Sequence, residues 1–198
     1  MIISHKFKLI FLANPKTGST SIHNAIRLLD DPELIVKMDI LDGKHLDCVE
    51  LNNKYPYLKD YFKFSIVRNP WDLMVSYFFF YHKVLKKPIS KKKVKKQFRD
   101  FLKWKIGNDS CNWGNRVTPQ CKDQTQFTAC CDFVGRFEYL QESFDEVCNR
   151  VGAKSVKLGH LNKTDHKHYS HYYDKKSIKI VEDEYKSDVI LFNYKYGE

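Results

Sequence analysis

A short apolar run that ends in a hydroxyl-rich turn constrains this 198-residue chain more than any other feature. Phe7 to Ala13 (FKLIFLA) is continuous and β-favouring, which predicts a buried strand. Asn14-Pro15 then turns the chain, and a helical pattern follows from about Ser19 to Leu29. A strand feeding a helix through Pro15-Lys16-Thr17-Gly18-Ser19-Thr20-Ser21 presents backbone N–H groups at the positive end of a helix dipole, which makes an anion site. Gly18 lets the backbone approach the anion closely. Thr17, Ser19, Thr20 and Ser21 add hydroxyl donors, and Lys16 adds a positive charge. An ordinary strand–helix loop with a capping Ser is the bland alternative, and so many donors in seven residues outweigh it. The nucleoside-triphosphate loop G-x-x-x-x-G-K-[ST] places its Lys directly after the last Gly. Here the Lys stands two residues before the Gly, and the first Gly of that pattern is missing.

A second strand–helix junction follows. Phe62 to Val67 (FKFSIV) predicts a buried strand, Asn69 a helix cap, and Pro70 the first helical residue, with the helix running to about Lys83. Arg68 ends the strand, where a guanidinium can grip a phosphate with two parallel bonds. Ser76 lies two turns along the helix. Asp132 to Phe137 (DFVGRF) predicts a third strand, Tyr139 to Val151 a helix that Gly152 stops, and Ser177 to Tyr185 at least one more helix. Strands alternating with helices predict an α/β fold: a central parallel sheet flanked by helices on both sides, as one domain over residues 1–198. Ligands in such folds bind at the carboxyl ends of strands, and both motifs sit there.

The loop resembles the 5′-phosphosulfate loop of sulfotransferases, P-K-[TSA]-[GA]-[ST]-T-S, and Val67-Arg68-Asn69-Pro70-Trp71-Asp72 through Ser76 and Tyr77 resembles their 3′-phosphate segment. Asp132 to Asp145 (DFVGRFEYLQESFD) and His160-Leu161-Asn162-Lys163-Thr164 are similar to stretches of the carbohydrate-type, Golgi-related sulfotransferases and their microbial and viral relatives. The resemblance covers roughly residues 10–30, 45–85 and 130–196 and implies a P-loop-type fold. It implies transfer of a sulfuryl group from 3′-phosphoadenosine-5′-phosphosulfate (PAPS) to a hydroxyl, in line, leaving 3′-phosphoadenosine-5′-phosphate (PAP), with no metal. It assigns Lys16 to the bridging oxygen of the leaving phosphate, and Arg68 and Ser76 to the 3′-phosphate. Pro15, Thr17, Gly18, Ser19, Thr20 and Ser21 complete the loop, with Lys163 and Thr164 as further phosphate contacts. Arg136 lies near the nucleotide on this reading, or holds the core through Glu138 or Asp132. An acceptor hydroxyl needs a general base, and related enzymes place a His between the two motifs, which makes His45 the candidate. Asp39, Asp42, Asp47 and Glu50 remain as carboxylate alternatives, while His23 reads as a surface or packing residue.

Charge separates a different segment. The chain carries 34 Lys and Arg against 24 Asp and Glu, and eleven of the basic residues fall between Lys83 and Lys105 with one acid, Asp100. The remaining 23 basic and 23 acidic residues balance. Nucleic-acid binding by the whole surface is disfavoured accordingly. Ser90 can cap a helix whose apolar residues Val94, Phe98, Phe101 and Leu102 form one stripe. Residues 83–129 match no motif and read as an acceptor-side insertion, with Asn108 to Lys122 a loop and Trp104 and Trp113 as sugar-stacking candidates. The acceptor reads as a glycan or other hydroxyl compound, anionic if the basic helix meets it. The alternatives are a P-loop kinase or triphosphatase, and a non-catalytic binder of polyanion or nucleic acid through 83–105.

The six cysteines lack paired CxxC spacing. With no signal-like N-terminus and no stretch of about 18 apolar residues, the sequence predicts a cytoplasmic chain with reduced thiols, or an excised catalytic domain. A Cys111–Cys121 bridge is the alternative. His160, His166, His168 and His171 cluster without a trusted metal-ligand spacing, and the aromatic run Tyr77 to Tyr81 reads as a buried helix.

Overall fold

A computed structural model describes residues 1–29, 35–37, 45–106, 111–113, 116–118, 123–159 and 166–198. Its elements run β1 (Ile2–Ser4), β2 (Leu9–Leu12), α1 (Ser19–Leu29), β3 (Ile35–Lys37), α2 (Cys48–Lys54), β4 (Phe62–Val67), α3 (Pro70–Val84), α4 (Val94–Ile106), β5 (Cys111–Trp113), β6 (Arg116–Thr118), α5 (Thr125–Thr128), β7 (Phe133–Arg136), α6 (Leu140–Arg150), α7 (Lys175–Glu184) and α8 (Lys186–Leu191). They divide into two compact units. The first comprises Met1–Arg68 and Gln124–Lys163, the second Asn69–Asp123 and Thr164–Glu198. No helix among the described residues is long and apolar enough to cross a membrane.

The first unit is built on a five-stranded sheet of order β3-β1-β2-β4-β7. β2, β4 and β7 are parallel, as expected, while β1 is antiparallel to both its neighbours. The expected strand Phe7–Ala13 shortens to Leu9–Leu12. Phe7 and Lys8 instead belong to a turn, in which the Phe7 N–H donates to Ser4 Oγ and Lys8 takes a positive φ of 46°. That turn folds Ile2–Ser4 back against Leu9–Phe11 as a strand for which the sequence carried no expectation.

Alternation along the strands sends residues to two apolar layers. Leu9, Phe11, Phe64 and Ile66 pack with Ile22 and Ile26 of α1 and Phe144 and Val147 of α6. Ile3, Ile10 and Leu12 point the other way, onto Leu46, Cys48, Leu51 and Leu58 around α2. Both faces are thus covered by helices. Gly135 on β7 allows the tightest of these contacts: a Cβ there would lie 2.6 Å from Ser143 Cβ of α6 and 2.7 Å from Ile66 Cδ1. Gly152 (φ 69°) ends α6 as expected, and the Ala153 N–H returns to the Cys148 carbonyl at 2.8 Å.

Cys48 and Cys130 form a disulfide across 82 residues of sequence, with a Cα–Cα distance of 5.5 Å. The expectation of reduced thiols is corrected for this pair, since the fold brings the start of α2 and the segment before β7 within bridging range. Cys131 and Cys148 are free thiols. Cys121 and the Cys111 side chain lie outside the described residues.

The second unit is mainly helical. Asn69 Oδ1 accepts the Trp71 N–H at 3.1 Å and Pro70 opens α3, as its sequence predicts. The aromatic run on α3 turns Tyr77 and Phe78 inward, where Phe78 meets Phe98 and Phe101 of α4 edge-on. Phe98, Phe101 and Leu102 form the buried stripe of α4. Ser90 is not its cap: the helix begins at Val94. Lysines at 91, 92, 93 and 95 crowd what would be the positive dipole end, which disfavours an earlier start. The expected 108–122 loop contains a two-stranded antiparallel ribbon, β5–β6, and the C-terminal segment, where at least one helix is expected, holds α7 and α8.

Candidate functional site

The strand β2 ends at Leu12, and the next residues curl into the loop that the sequence singled out. Lys16 has a φ of 65° and Gly18 a φ of 81°. Two left-handed residues within three turn the loop sharply, and Lys16 carries that conformation without being glycine. The Ile22 N–H returns to the Gly18 carbonyl at 3.3 Å, so α1 starts at the loop and directs its first N–H groups there. The loop's hydroxyls divide. Thr17 Oγ1 donates to the Asn14 carbonyl at 2.8 Å and Ser21 Oγ donates to the Gly159 carbonyl at 2.6 Å. Their hydroxyl hydrogens therefore shape the loop and tie it to the segment after α6. Ser19 and Thr20 are half-buried at the start of the helix, and Pro15 is buried.

Arg68 stands at the end of β4, the strand that pairs with β2. It is 8% exposed, donates from Nη1 to the Lys16 carbonyl at 2.9 Å, and stacks its guanidinium 4.1 Å from the Phe137 ring centroid. One donor of the fork thus holds the backbone of the positive-φ loop. From its own residues Arg68 reads as a phosphate contact or as a member of a structural ion pair, and neither reading foresees this bond to a backbone carbonyl. Sequence reasoning also missed Gln124 and Asn14. The Gln124 side chain accepts the Arg68 N–H and donates to the Arg68 carbonyl, both at 2.8 Å. Asn14 Nδ2 donates to Gln124 Oε1 at 3.0 Å and to the Ile66 carbonyl at 3.1 Å. Two neighbouring strand ends are laced together by one buried amide. No local pattern marks a Gln 56 residues downstream of Arg68 for that role.

His45 is brought to the same loop. Its Nδ1 lies 2.5 Å from the Ala13 carbonyl. A carbonyl only accepts, so Nδ1 carries the hydrogen in this contact; in the neutral ring that makes Nε2 the nitrogen with the lone pair. Among the carboxylate alternatives, Asp47 and Glu50 form a capping box on α2, with Glu50 N–H to Asp47 Oδ1 and Asp47 N–H to Glu50 Oε2 both at 2.9 Å. Asp39 and Asp42 lie outside the described residues. His23 is buried against the edge of Phe11, the packing role expected of it.

Arg136 sits on β7 opposite Val67, and its N–H donates to Ser143 Oγ at 3.0 Å. Asp132, one of its expected partners, accepts the Lys63 N–H on Oδ2 at 2.7 Å and extends the β4–β7 pairing. Ser76 belongs to the second unit, where it is buried on α3. Lys163, Thr164 and His160 lie outside the described residues. Trp104, expected to stack on a sugar, packs against Tyr81 at 5.0 Å and is half-buried. The Trp113 side chain lies outside the description. His166 stacks on Phe79 at 4.9 Å, and the described residues contain no group of three or more His, Cys, Asp or Glu that could hold a metal ion.

The end of β2 thus leads through a positive-φ, Lys-bearing loop into a helix start, with the buried Arg68 bonded to the loop backbone. A family model described as the sulfotransferase family matches residues 1–195. The chain belongs to that family. No curated protein and no solved structure gives a match. Its α/β architecture, with parallel β2-β4-β7 between helical layers, is that of the P-loop-like sulfotransferase fold. The loop after β2 and Arg68 after β4 both fall at carboxyl ends of its parallel strands.

Proposed function

We propose that this sulfotransferase-family protein moves a sulfuryl group from PAPS to a hydroxyl, that of a carbohydrate. The observation that carries the reading is the loop itself, with Lys16 and Gly18 at positive φ over the start of α1 and Arg68 bonded to the Lys16 carbonyl. These residues suit a phosphosulfate: the loop offers backbone N–H groups at a helix start and the Lys16 side chain, Arg68 is bonded to its backbone, and residues 14–21 contain no carboxylate. PAPS supplies the electrophilic sulfuryl group and a nucleotide leaving group whose phosphate gains charge during transfer. Lys16 and the N–H groups at the start of α1 answer that charge, and their fixed placement means little reorganisation is needed. Arg68, Ser76, Lys163 and Thr164 bind and orient the nucleotide on this reading, with Arg136 close by. His45 Nε2 takes the proton from the acceptor hydroxyl, and the Nδ1–H bond to Ala13 holds the ring in the tautomer that allows it.

Calorimetric titration with PAP tests the donor assignment. The wild-type protein binds it, and Lys16→Ala and Arg68→Ala each weaken binding by about tenfold or more, the scale of one lost charge-assisted contact. A folded wild-type protein that fails to bind PAP removes the reading. His45→Ala tests the base: PAP affinity stays, while turnover of labelled PAPS with a hydroxyl acceptor falls by about 100-fold or more. Undiminished turnover in that variant removes His45 from the mechanism and leaves the rest.

A further inference from the structure

Phe137 touches two parts of the candidate site together. It follows β7 directly and is half-buried in the single turn, residues 137–139, that leads into α6. The Arg68 guanidinium lies over its ring, with Cζ 4.1 Å from the ring centroid. The same ring borders the loop after β2. A Cβ placed on Gly18 would lie 3.4 Å from both Phe137 Cδ2 and Cε2, and 2.7 Å from Leu140 Cδ2. The ring is itself held from behind. Phe137 and Leu140 pack on the apolar layer of Phe11, Phe64 and Phe144. Ser143 of α6 closes the turn under them, its Oγ accepting the Arg136 N–H at 3.0 Å and donating to the Arg136 carbonyl at 3.2 Å. Arg68 is thus held twice, through Nη1 by the Lys16 carbonyl and through its charge by the ring.

We propose that Phe137 is a positioning residue that fixes the orientation of the Arg68 guanidinium, and that through this hold the protein distinguishes nucleotides that carry a 3′-phosphate from those that do not. The physical argument turns on what kind of partner orients a cation. A carboxylate grips an arginine by its fork, taking N–H groups and cancelling the charge. A ring attracts the guanidinium to its π face, and leaves the positive charge uncancelled. That attraction strengthens as water is removed, and Arg68 is 8% exposed. An aliphatic side chain would fill the space beneath Arg68 without the attraction, so the guanidinium could swing about its long stem. The loss would then fall on an anion that needs two aligned N–H groups, and less on the loop, where Thr17 and Ser21 keep their own bonds. The discrimination between nucleotides rests on the proposed donor assignment; the hold of the ring on Arg68 does not.

The test titrates full-length wild type, Phe137→Leu and Phe137→Tyr with PAP and with adenosine 5′-phosphate, which lacks the 3′-phosphate. Phe137→Leu should bind PAP about tenfold more weakly, while adenosine 5′-phosphate changes by less than about threefold. Phe137→Tyr keeps the ring and should restore PAP affinity to within about twofold of wild type. Equal losses on the two nucleotides make Phe137 a packing residue and overturn the proposal, as does a tyrosine variant no better than the leucine one. Phe137→Met repeats the comparison if the leucine variant does not fold. Urea unfolding tests the hold without any nucleotide, using wild type, Phe137→Leu, Arg68→Met and the double variant. The two substitutions should be coupled, the double variant losing about fivefold less in its folding constant than the product of the single losses. Strictly multiplicative losses show that the ring does not hold Arg68. A folded wild type that binds no PAP removes the donor assignment and the nucleotide discrimination with it, and the unfolding cycle still decides whether Phe137 orients Arg68.

Discussion

Gln124 is fully buried, and its amide ends engage three groups at once: the N–H and carbonyl of Arg68 and the side chain of Asn14. Its substitution therefore separates two kinds of loss. Gln124→Leu leaves three buried polar groups without this partner, at about 1–3 kcal/mol each before relaxation. Gln124→Glu keeps both acceptor bonds but sets a second oxygen against the Arg68 carbonyl and buries a carboxyl group. Urea unfolding should place wild type above both variants, and on the proposed donor assignment PAP affinity should fall in both because Arg68 is no longer held. Equal stability of all three proteins would show that the amide does not anchor the loop. The candidate residues themselves were legible in sequence, since Lys16, Gly18 and Arg68 sit in contiguous motifs. Gln124 was not, because its role depends on a 56-residue return of the chain that no local pattern records.

The helices state their boundaries in short local codes of one or two residues, a capping amide before a proline or a glycine that takes positive φ. Asn69-Pro70 opens α3 and Gly152 closes α6 as expected, while Ser90 fails because the lysines after it oppose a helix start. Asp174 is the clearest cap not foreseen. Its Oδ1 accepts the Ser177 N–H at 2.8 Å, Ser177 Oγ accepts the Asp174 N–H at 2.8 Å, and the carboxylate also pairs with Arg99. The bond from the Ser177 N–H, with Arg99 and the Ser177 hydroxyl adding to it, holds the Asp174 carboxyl below the usual carboxylate range. A carboxyl depressed in the folded state contributes stability above its unfolded value near pH 4 and loses it as pH falls through the folded value. Asp174→Ala should cost about 1 kcal/mol at neutral pH, the usual worth of a cap. Asp174→Asn keeps a capping oxygen but not the titration. Its stability should converge with wild type as pH falls through the lowered folded value of Asp174, and thermal melts across the acid range check this. Parallel curves for wild type and Asp174→Asn across that range would contradict the assignment.

Across the whole chain, the Cys48–Cys130 bridge is the long-range restraint. Closing 82 residues removes unfolded-state freedom worth about 4 kcal/mol in the chain-entropy account. Reduction should lower the Tm measurably, and Cys48→Ser should show the lower Tm with or without reductant. An unchanged Tm on full reduction would show that the bridge adds no stability. The neighbouring Cys131 thiol does not threaten it, because burial pushes its pKa up to about 12 and exchange needs the thiolate. The sequence by itself determined the parallel core, the two strand–helix junctions, the order of motifs and the concentration of charge between Lys83 and Lys105, because each is written in neighbouring residues whose periodicity or chemistry is local. Only the tertiary structure decided the antiparallel strands β1 and β3, the pairing of Cys48 with Cys130, the lacing of Asn14 to Arg68 by Gln124 and the placing of His45 on the Ala13 carbonyl. Those depend on which distant segments the apolar layers bring together, and that is a property of packing rather than of any stretch of chain.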